Sequence, residues 1–233
     1  MLIQFFRLFL SIMPLVIIFP ASAIMQPQTS MVLIQEDAGG GSINVTNTDD
    51  KDALLYVKVI DLPDDKFPQL IVTQPVMRVA AGQTQRVRFV LISDRPLTTE
   101  HMKRVTFEGI PITAEANQGI AISLRQNLPV IIHPAGLTEN IGSWKDLQWS
   151  VKQGKLRVHN PGAWVVRMAP SFTLLPGNQK VILNKSYILP GETLPVVFSD
   201  VLVLARTQKI RIDAVSSYGY EVGNAELSVS HEL

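Results

Sequence analysis

The sequence contains no cysteine, which excludes disulfide bridges, thiolate nucleophiles and cysteine-ligated metal sites together. Strong charge of either sign is also missing, because 21 Lys and Arg stand against 20 Asp and Glu, and this balance argues against a nucleic acid partner. Apolar runs after residue 19 are too short to span a bilayer. We therefore expect a fold held by its hydrophobic core alone, with no cofactor.

The N-terminus has the pattern of a cleaved secretory signal. Arg7 precedes the apolar run Leu8 to Phe19, and Ala21-Ser22-Ala23 supplies the small residues that a signal peptidase accepts. We expect residues 1–23 to be removed after Ala23, which leaves an exported mature chain with no membrane span. Without Arg7 the mature chain has 20 basic and 20 acidic side chains.

Helical periodicity is absent over any long stretch of the mature chain. Short runs rich in Val, Ile, Leu and Thr recur instead between clusters of Gly, Pro, Asn and Asp, a pattern typical of all-β sandwiches and barrels. A break at His133–Thr138, with Pro134 and Gly136, separates two sets of such runs. The prediction is an all-β chain of two immunoglobulin-like β-sandwich domains, residues 24–136 and 137–233.

Catalytic and metal-binding constellations are not found in the sequence. The histidines are scattered, and none has a second ligand at the spacing of a zinc or copper site. The glycine run within Glu36–Ser42 lacks the Lys-Ser/Thr end of a phosphate loop and is typical of a hairpin. No serine nucleophile motif is present. We predict that the protein is not an enzyme and binds no metal.

The segment Gly119–Arg125 alternates strictly between large apolar and other residues. This alternation places Ile120, Ile122 and Leu124 on one face of a strand. From the periodicity alone, an ordinary strand packed on its own core explains the pattern best. Its position among the other motifs of the chain suggests a strand that does more than pack on its own core.

Short motifs follow one another along the chain in a consistent order. They are Ser42–Asn47, Val72–Val79 with its Thr-Gln-Pro and arginine, Leu97–Glu100, Phe107–Pro111 ending in Ile-Pro, Val158–Val166 with its Asn-Pro, and Tyr218-Gly219. In order and spacing the mature chain resembles the periplasmic chaperones of chaperone/usher pilus assembly, the PapD-like family. Where its sequence departs from the common family pattern, the chain is similar to the family's archaic or alternate members.

The resemblance implies a periplasmic protein whose two domains form an L-shaped arrangement. It implies that the chain binds fimbrial subunits one to one and lends them a strand, with Ile120, Ile122 and Leu124 filling the subunit's open groove. It further implies that an outer-membrane usher receives the subunit when another subunit's extension replaces the lent strand.

Two features of the family are altered in this sequence. The family's basic pair, which binds the subunit's C-terminal carboxylate, is replaced by Met31 and Pro129. Its domain-orienting ion network becomes Glu100, His133 and Ser217, in which a protonated His133 could pair with Glu100. Neutral residues cannot offer charge-assisted hydrogen bonds to a carboxylate, so the usual anchor is expected to be missing.

Two explanations of the missing anchor remain open. Other basic residues replace it, and Arg86, Arg88, Arg104 and Arg125 are the candidates, although each also fits a solvated sheet face. Alternatively, the chain has lost chaperone activity. A different hypothesis is an exported two-domain structural or adhesive module whose alternating strand is internal.

Overall fold

The computed structural model describes residues 25–112, 123–216 and 220–232. Within these ranges the chain forms seventeen β-strands, one α-helix and one 3-10 helix, so the predicted all-β class is confirmed. The strands form two sheets, one built from the first nine strands and the other from the last eight. In the described part of the chain, neither helix has the length and apolarity needed to cross a membrane.

The first domain contains nine strands. They are β1 (Met25–Pro27), β2 (Val32–Gln35), β3 (Gly40–Asn47), β4 (Ala53–Asp61), β5 (Gln69–Val72), β6 (Val76–Val79), β7 (Thr84–Ile92), β8 (His101–Pro111) and β9 (Arg125–His133). The sheet runs in the order β5-β7-β3-β2-β9-β8-β4-β6, with β1 added to β3. All pairs are antiparallel except β2 and β9, which are parallel from Val32 opposite Val130 to Gln35 opposite His133.

The core of the first domain consists of side chains that alternate inward along these strands. Ile34, Leu55 and Phe107 are fully buried at its centre. Asn47 is also fully buried at the end of β3, where its amide nitrogen donates to the carbonyl oxygens of Lys51, Val79 and Ala80. A buried polar side chain is stable only when it is paired, and these bonds tie three chain segments together.

The second domain contains the remaining strands and the helix. They are β10 (Gln148–Lys152), β11 (Lys155–His159), β12 (Val166–Leu175), β13 (Gln179–Ile182), β14 (Tyr187–Ile188), β15 (Thr193–Pro195), α1 (Val201–Arg206), β16 (Lys209–Val215) and β17 (Glu221–Glu232), with a 3-10 helix at Ser143–Asp146. The sheet order is β13-β12-β16-β17-β10-β11-β15, and β14 pairs with β12.

The second domain repeats the buried-asparagine arrangement of the first. Asn160, 1% exposed, donates to the carbonyl oxygens of Trp164, Ile188 and Leu189. Its side-chain oxygen accepts from the Gly162 N–H, as that of Asn47 does from Asp49. The two domains therefore use the same local device without an evident sequence repeat.

Apolar side chains from both domains meet in one interdomain cluster. Met31, Leu62, Met102 and Ile131 come from the first domain, and Val165 and Leu189 come from the second. All are at most 7% exposed. This packing places the start of β8, the second half of β9 and the residue before β12 next to one another.

Candidate functional site

One edge of β9 is only partly paired. The strand pairs with β8 from Arg125 to Ile132, but with β2 only from Val130 onward. Among the described residues, the other edge of β9 from Arg125 to Pro129 therefore has no strand partner. Such an edge presents free N–H and C=O groups and is a template for strand addition.

The core-facing positions of β9 continue toward the predicted donor residues. Val130 and Ile132 are fully buried and Leu128 packs against the same core, so Leu124 shares their parity. Leu124 is 47% exposed, and Ile120 and Ile122 lie outside the described residues. In the described part, then, side chains on the apolar face are buried in the core along the second half of β9 and are exposed to solvent just before its first residue.

Arg125 is held in an ion pair at the start of β9. Its Nη2 lies 2.7 Å and its Nε 2.8 Å from Glu108 Oε2, and the Ser123 hydroxyl donates to Glu108 Oε1 at 2.8 Å. The hydrogen bonds from Ser123 and Arg125 lower the pKa of Glu108. Arg125 therefore fixes the first residues of β9 against β8, which makes it a poorer anchor candidate than an unpaired arginine.

Arg104 lies directly opposite Pro129 in the ladder between β8 and β9. Its Nε donates to Asn127 Oδ1 at 2.8 Å and its Nη2 to the Asn127 carbonyl oxygen at 2.7 Å. These two bonds fix the plane of the guanidinium, and its other N–H groups have no hydrogen bond within the described residues. Burial lowers the pKa of Arg104.

Arg167 approaches the same place from the second domain. It lies on β12 between the buried Val166 and Met168, so it points away from its own core, and its Nη1 is 3.8 Å from Met31 Sδ. Burial, and then the positive charge of Arg104, lower the pKa of Arg167. The two arginines are therefore electrostatic neighbours across the domain boundary.

We call the site formed by Met31, Arg104, Asn127 and Arg167 the guanidinium cleft. Within the described residues neither arginine forms an ion pair with a carboxylate. Two partly buried cations without counter-ions create a positive potential that attracts an anion. Guanidinium groups match a carboxylate in particular, because they donate paired hydrogen bonds to its two oxygens.

Arg86 and Arg88 lie elsewhere. Both are exposed on β7, which is separated from β9 by β3 and β2 in the sheet. They line a surface pocket together with Thr73, Gln74 and Gln85, rather than the guanidinium cleft. Of the four arginines named from the sequence, only Arg104 contributes to the cleft.

Glu100 and His133 lie together at the domain boundary. His133 Nδ1 is 2.9 Å from Glu100 Oε1, and both side chains are about nine-tenths buried. Glu100 also reaches the second domain, since its Oε2 accepts from the Val165 N–H at 2.8 Å and its own N–H donates to the Ala163 carbonyl oxygen at 2.7 Å. We call Glu100, His133, Ala163 and Val165 the interdomain joint; Ser217 lies outside the described residues.

A second polar contact between the domains was not predicted. Lys185, from the second domain, contacts Asp64 of the first at 2.9 Å and also pairs with Glu192. Burial lowers the pKa of Lys185, but its hydrogen bonds to Glu192 and Asp64 outweigh this, and the net shift is upward. The domains are thus joined by the apolar cluster, by the interdomain joint and by the contact between Lys185 and Asp64.

Comparison with known families now identifies the architecture. Residues 24–138 match the model of the pili and flagellar-assembly chaperone PapD N-terminal domain, and residues 142–225 match the pili assembly chaperone PapD C-terminal domain. The chain belongs to this family of pilus assembly chaperones. The resemblance predicted from the motifs is confirmed, while the domain boundary at residues 136 and 137 stays a prediction.

Individual relatives agree with the family assignment. The chain is 43% identical over 197 residues to the uncharacterised fimbrial chaperone YhcA of Escherichia coli strain K12, covering 84% of this chain and 86% of that protein. Among solved structures it is similar to the E. coli chaperone DraB, with a TM-score of 0.71 and 19% identity over 88% of this chain and 98% of DraB. It is also similar to the Salmonella enterica SafB chaperone structure, solved with the SafA pilin, with a TM-score of 0.71 and 18% identity over 89% and 97% of the two chains.

Sequence reasoning missed Arg167, Asn127 and Lys185. Arg167 shows only one signal in the sequence, its position between apolar residues of a strand, and this signal fits a solvated face equally well. What gives it a role is the approach of the two domains, which brings it to Met31 and Arg104.

Proposed function

We propose that this pilus assembly chaperone binds fimbrial subunits one to one in the periplasm by lending them the N-terminal part of β9 and the residues before it. The subunit is then passed to an outer-membrane usher, and no catalytic step is involved. The observation that carries the proposal is the edge of β9 at Arg125–Pro129, which within the described residues has no strand partner and lies beside two arginines that form no ion pair there.

The strand would be lent through two kinds of contact. Main-chain groups on the open edge of β9 would pair with a strand of the subunit, and Ile120, Ile122 and Leu124 would fill the subunit's groove in alternation. Burying each of these side chains is worth about 1.5–3 kcal/mol before ordering costs. Leu124, which is 47% exposed in the free chain, has apolar surface available for this burial.

Arg104 and Arg167 are the anchor that we propose for the subunit's C-terminal carboxylate. They flank the two positions, Pro129 and Met31, at which the family's basic pair is absent. Asn127 holds the Arg104 guanidinium in place before a ligand arrives, which reduces the entropy lost on binding. Arg86, Arg88 and Arg125 are not part of this anchor in our proposal.

Co-expression in the periplasm with candidate fimbrial subunits tests the proposed function. The wild type should yield a soluble one-to-one complex, whereas Ile122→Asp and Leu124→Asp should not, because a charge would enter the apolar groove. Ala121→Asp is the matched control, since alternation places residue 121 on the opposite face. The Leu124→Asp chaperone alone should melt like the wild type, so that loss of the complex reports binding.

Other results would point elsewhere. Equal recovery with all variants would exclude strand lending through this face. If the wild type binds none of the subunits, the hypothesis of an exported structural or adhesive module becomes the better one.

A further inference from the structure

His133 lies between two oxygen atoms that can only accept hydrogen bonds. Its Nδ1 is 2.9 Å from Glu100 Oε1, and its Nε2 is 2.8 Å from the Leu137 carbonyl oxygen. A neutral imidazole has one N–H and can donate to only one of them, whereas the imidazolium ion donates to both. The geometry therefore favours the charged ring.

The charged side chains facing His133 are all acidic among the described residues. Glu100 precedes β8 and Glu139 lies in the linker after β9. Glu36 follows β2, and its carboxylate accepts from the N–H groups of Leu97 and Ala135. The Glu36 N–H donates to the His133 carbonyl oxygen at 3.0 Å. The facing segment of the second domain, residues 163–165, carries no charged side chain.

These surroundings act on the ring in opposite directions. Burial lowers the pKa of His133, but the hydrogen bonds to Glu100 and Leu137 and the charges of Glu100 and Glu139 outweigh it, and the net shift is upward. This direction agrees with the geometry, since both describe a ring that keeps its second proton more readily than a free histidine.

Loss of that proton would act on the contact between the domains. Glu100 is 8% exposed, and one of its carboxylate oxygens accepts from the second domain while the other faces His133. A neutral ring would either leave Glu100 without its charged donor or leave the Leu137 carbonyl oxygen unpaired. A buried carboxylate without a counter-charge is costly, so the interdomain joint would weaken.

We propose that His133 makes the interdomain joint proton-dependent: the charged ring holds Glu100 against the second domain and so keeps Arg104 and Arg167 facing one cleft. The two arginines belong to different domains, so a change in domain orientation alters their spacing. The expected effect on subunit affinity rests on the function proposed above, while the effect on domain orientation does not. An arginine at this position, as in the family pattern, would be insensitive to pH, so the dependence is a property of this chain.

The direction of the effect follows from the raised pKa. The joint's contribution to stability is complete below the pKa of His133 in the unfolded chain and is lost as the pH rises through the higher pKa of the folded state. Domain orientation should therefore be fixed in mildly acidic solution and more variable in alkaline solution. Subunit affinity should fall by about three- to tenfold over the same interval.

The test follows two quantities between about pH 5.5 and 8.5. The first is the orientation of the domains in the subunit-free mature chain, from residual dipolar couplings, alongside the NMR titration of the His133 ring. The second is the affinity for a subunit that binds the wild type. His133→Arg should remove the pH dependence of both, His133→Gln should behave as the alkaline form at every pH, and His159→Gln, on β11 of the second domain, should behave as the wild type.

Each outcome decides a separate question. If domain orientation does not change while the His133 ring titrates, the inference is wrong, whether or not subunits bind. If the domain orientation changes with pH and the midpoint of that change coincides with the titration of the His133 ring, the inference stands. It then stands even where no subunit binds, and only the proposed function fails. A pH dependence that survives in His133→Arg would assign the effect to another group and overturn the inference.

Discussion

The sulfur atom of Met31, in the first domain, lies 3.8 Å from Nη1 of Arg167, in the second. A neutral residue at the position of a family anchor thus contacts a cation supplied by the other domain. In our proposal this cation, together with Arg104, supplies the positive charge that the missing basic pair would have given.

Arg104→Ala and Arg167→Ala should each weaken subunit binding by about ten- to a hundredfold, because each removes charge-assisted hydrogen bonds to a carboxylate. Isothermal titration with a subunit, or with a peptide that copies its C-terminal strand, measures the change. Arg86→Ala, at an exposed position on β7, is the control and should bind as the wild type.

Amidation of the peptide's C-terminus sharpens this test. If the two arginines bind the carboxylate, the amidated peptide should bind the wild type weakly and should be insensitive to either substitution. Wild-type affinity in Arg167→Ala, with a loss in Arg104→Ala, would confine the anchor to the first domain.

The two buried asparagines should each support only their own domain. Asn47→Ala and Asn160→Ala remove the donor to three carbonyl oxygens, and we expect each to cost about 2–3 kcal/mol. In calorimetry, Asn47→Ala should lower the melting temperature of one part of the unfolding transition and Asn160→Ala that of another part. Replacement of the exposed Asn178 by glycine, at a φ of 51°, should have little effect. If either asparagine variant shifts the whole unfolding transition, the two domains unfold as one unit.

Gly40 should tolerate no side chain. A Cβ there would lie 2.1 Å from the Phe89 carbonyl oxygen, across the ladder between β3 and β7. Gly40→Ala should therefore disrupt the ladder and lower the free energy of unfolding by several kcal/mol. Gly39→Ala is the matched control, because its φ of 63° disfavours alanine but nothing lies within 4 Å, so a cost of only about 1 kcal/mol is expected. Similar melting temperatures for the two variants would contradict this reading of the hairpin.

Lys185→Met should loosen the domains without unfolding either one. The variant loses the 2.9 Å contact with Asp64 and leaves the partly buried Glu192 without its cation. Since the pKa of Lys185 is raised, its contribution is present at neutral pH and is lost only as the pH rises through that raised value. The measurement is the difference in rotational correlation time between the domains by NMR. Asp64→Asn should reproduce part of the effect, whereas Lys180→Met, at an exposed position on β13, should not.

The strands were largely predictable from the sequence because successive side chains of a sandwich strand alternate between a solvated and a buried face. Residues 104–108, for example, alternate between polar and apolar side chains, and they lie within β8. The exceptions have local causes. A proline removes a ladder hydrogen bond and usually ends a strand, yet β12 continues past Pro170 through a register shift between Met168 and Phe172. β1 and β14 have two or three residues each, too few for periodicity to reveal.

The candidate site was less predictable, because it depends on the meeting of two domains. Arg104 could be named from its phase on a strand, and Glu100 and His133 from the resemblance to the family. Arg125 could be named as well, but its partner Glu108 sits on the neighbouring strand and becomes visible only in the register of β8 and β9. Arg167 gains its role from a contact between residues 136 positions apart, which no local pattern encodes.

Pro129 stands where the open edge of β9 ends and its pairing with β2 begins. Having no N–H, it cannot donate to an added strand, and from Val130 onward β2 already occupies the place such a strand would take. If subunits bind as we propose, the chaperone itself limits how far a guest strand can pair, whatever the guest's sequence. Different subunits would be stopped at the same depth, beside Arg104, so that one fixed pair of arginines can serve them all.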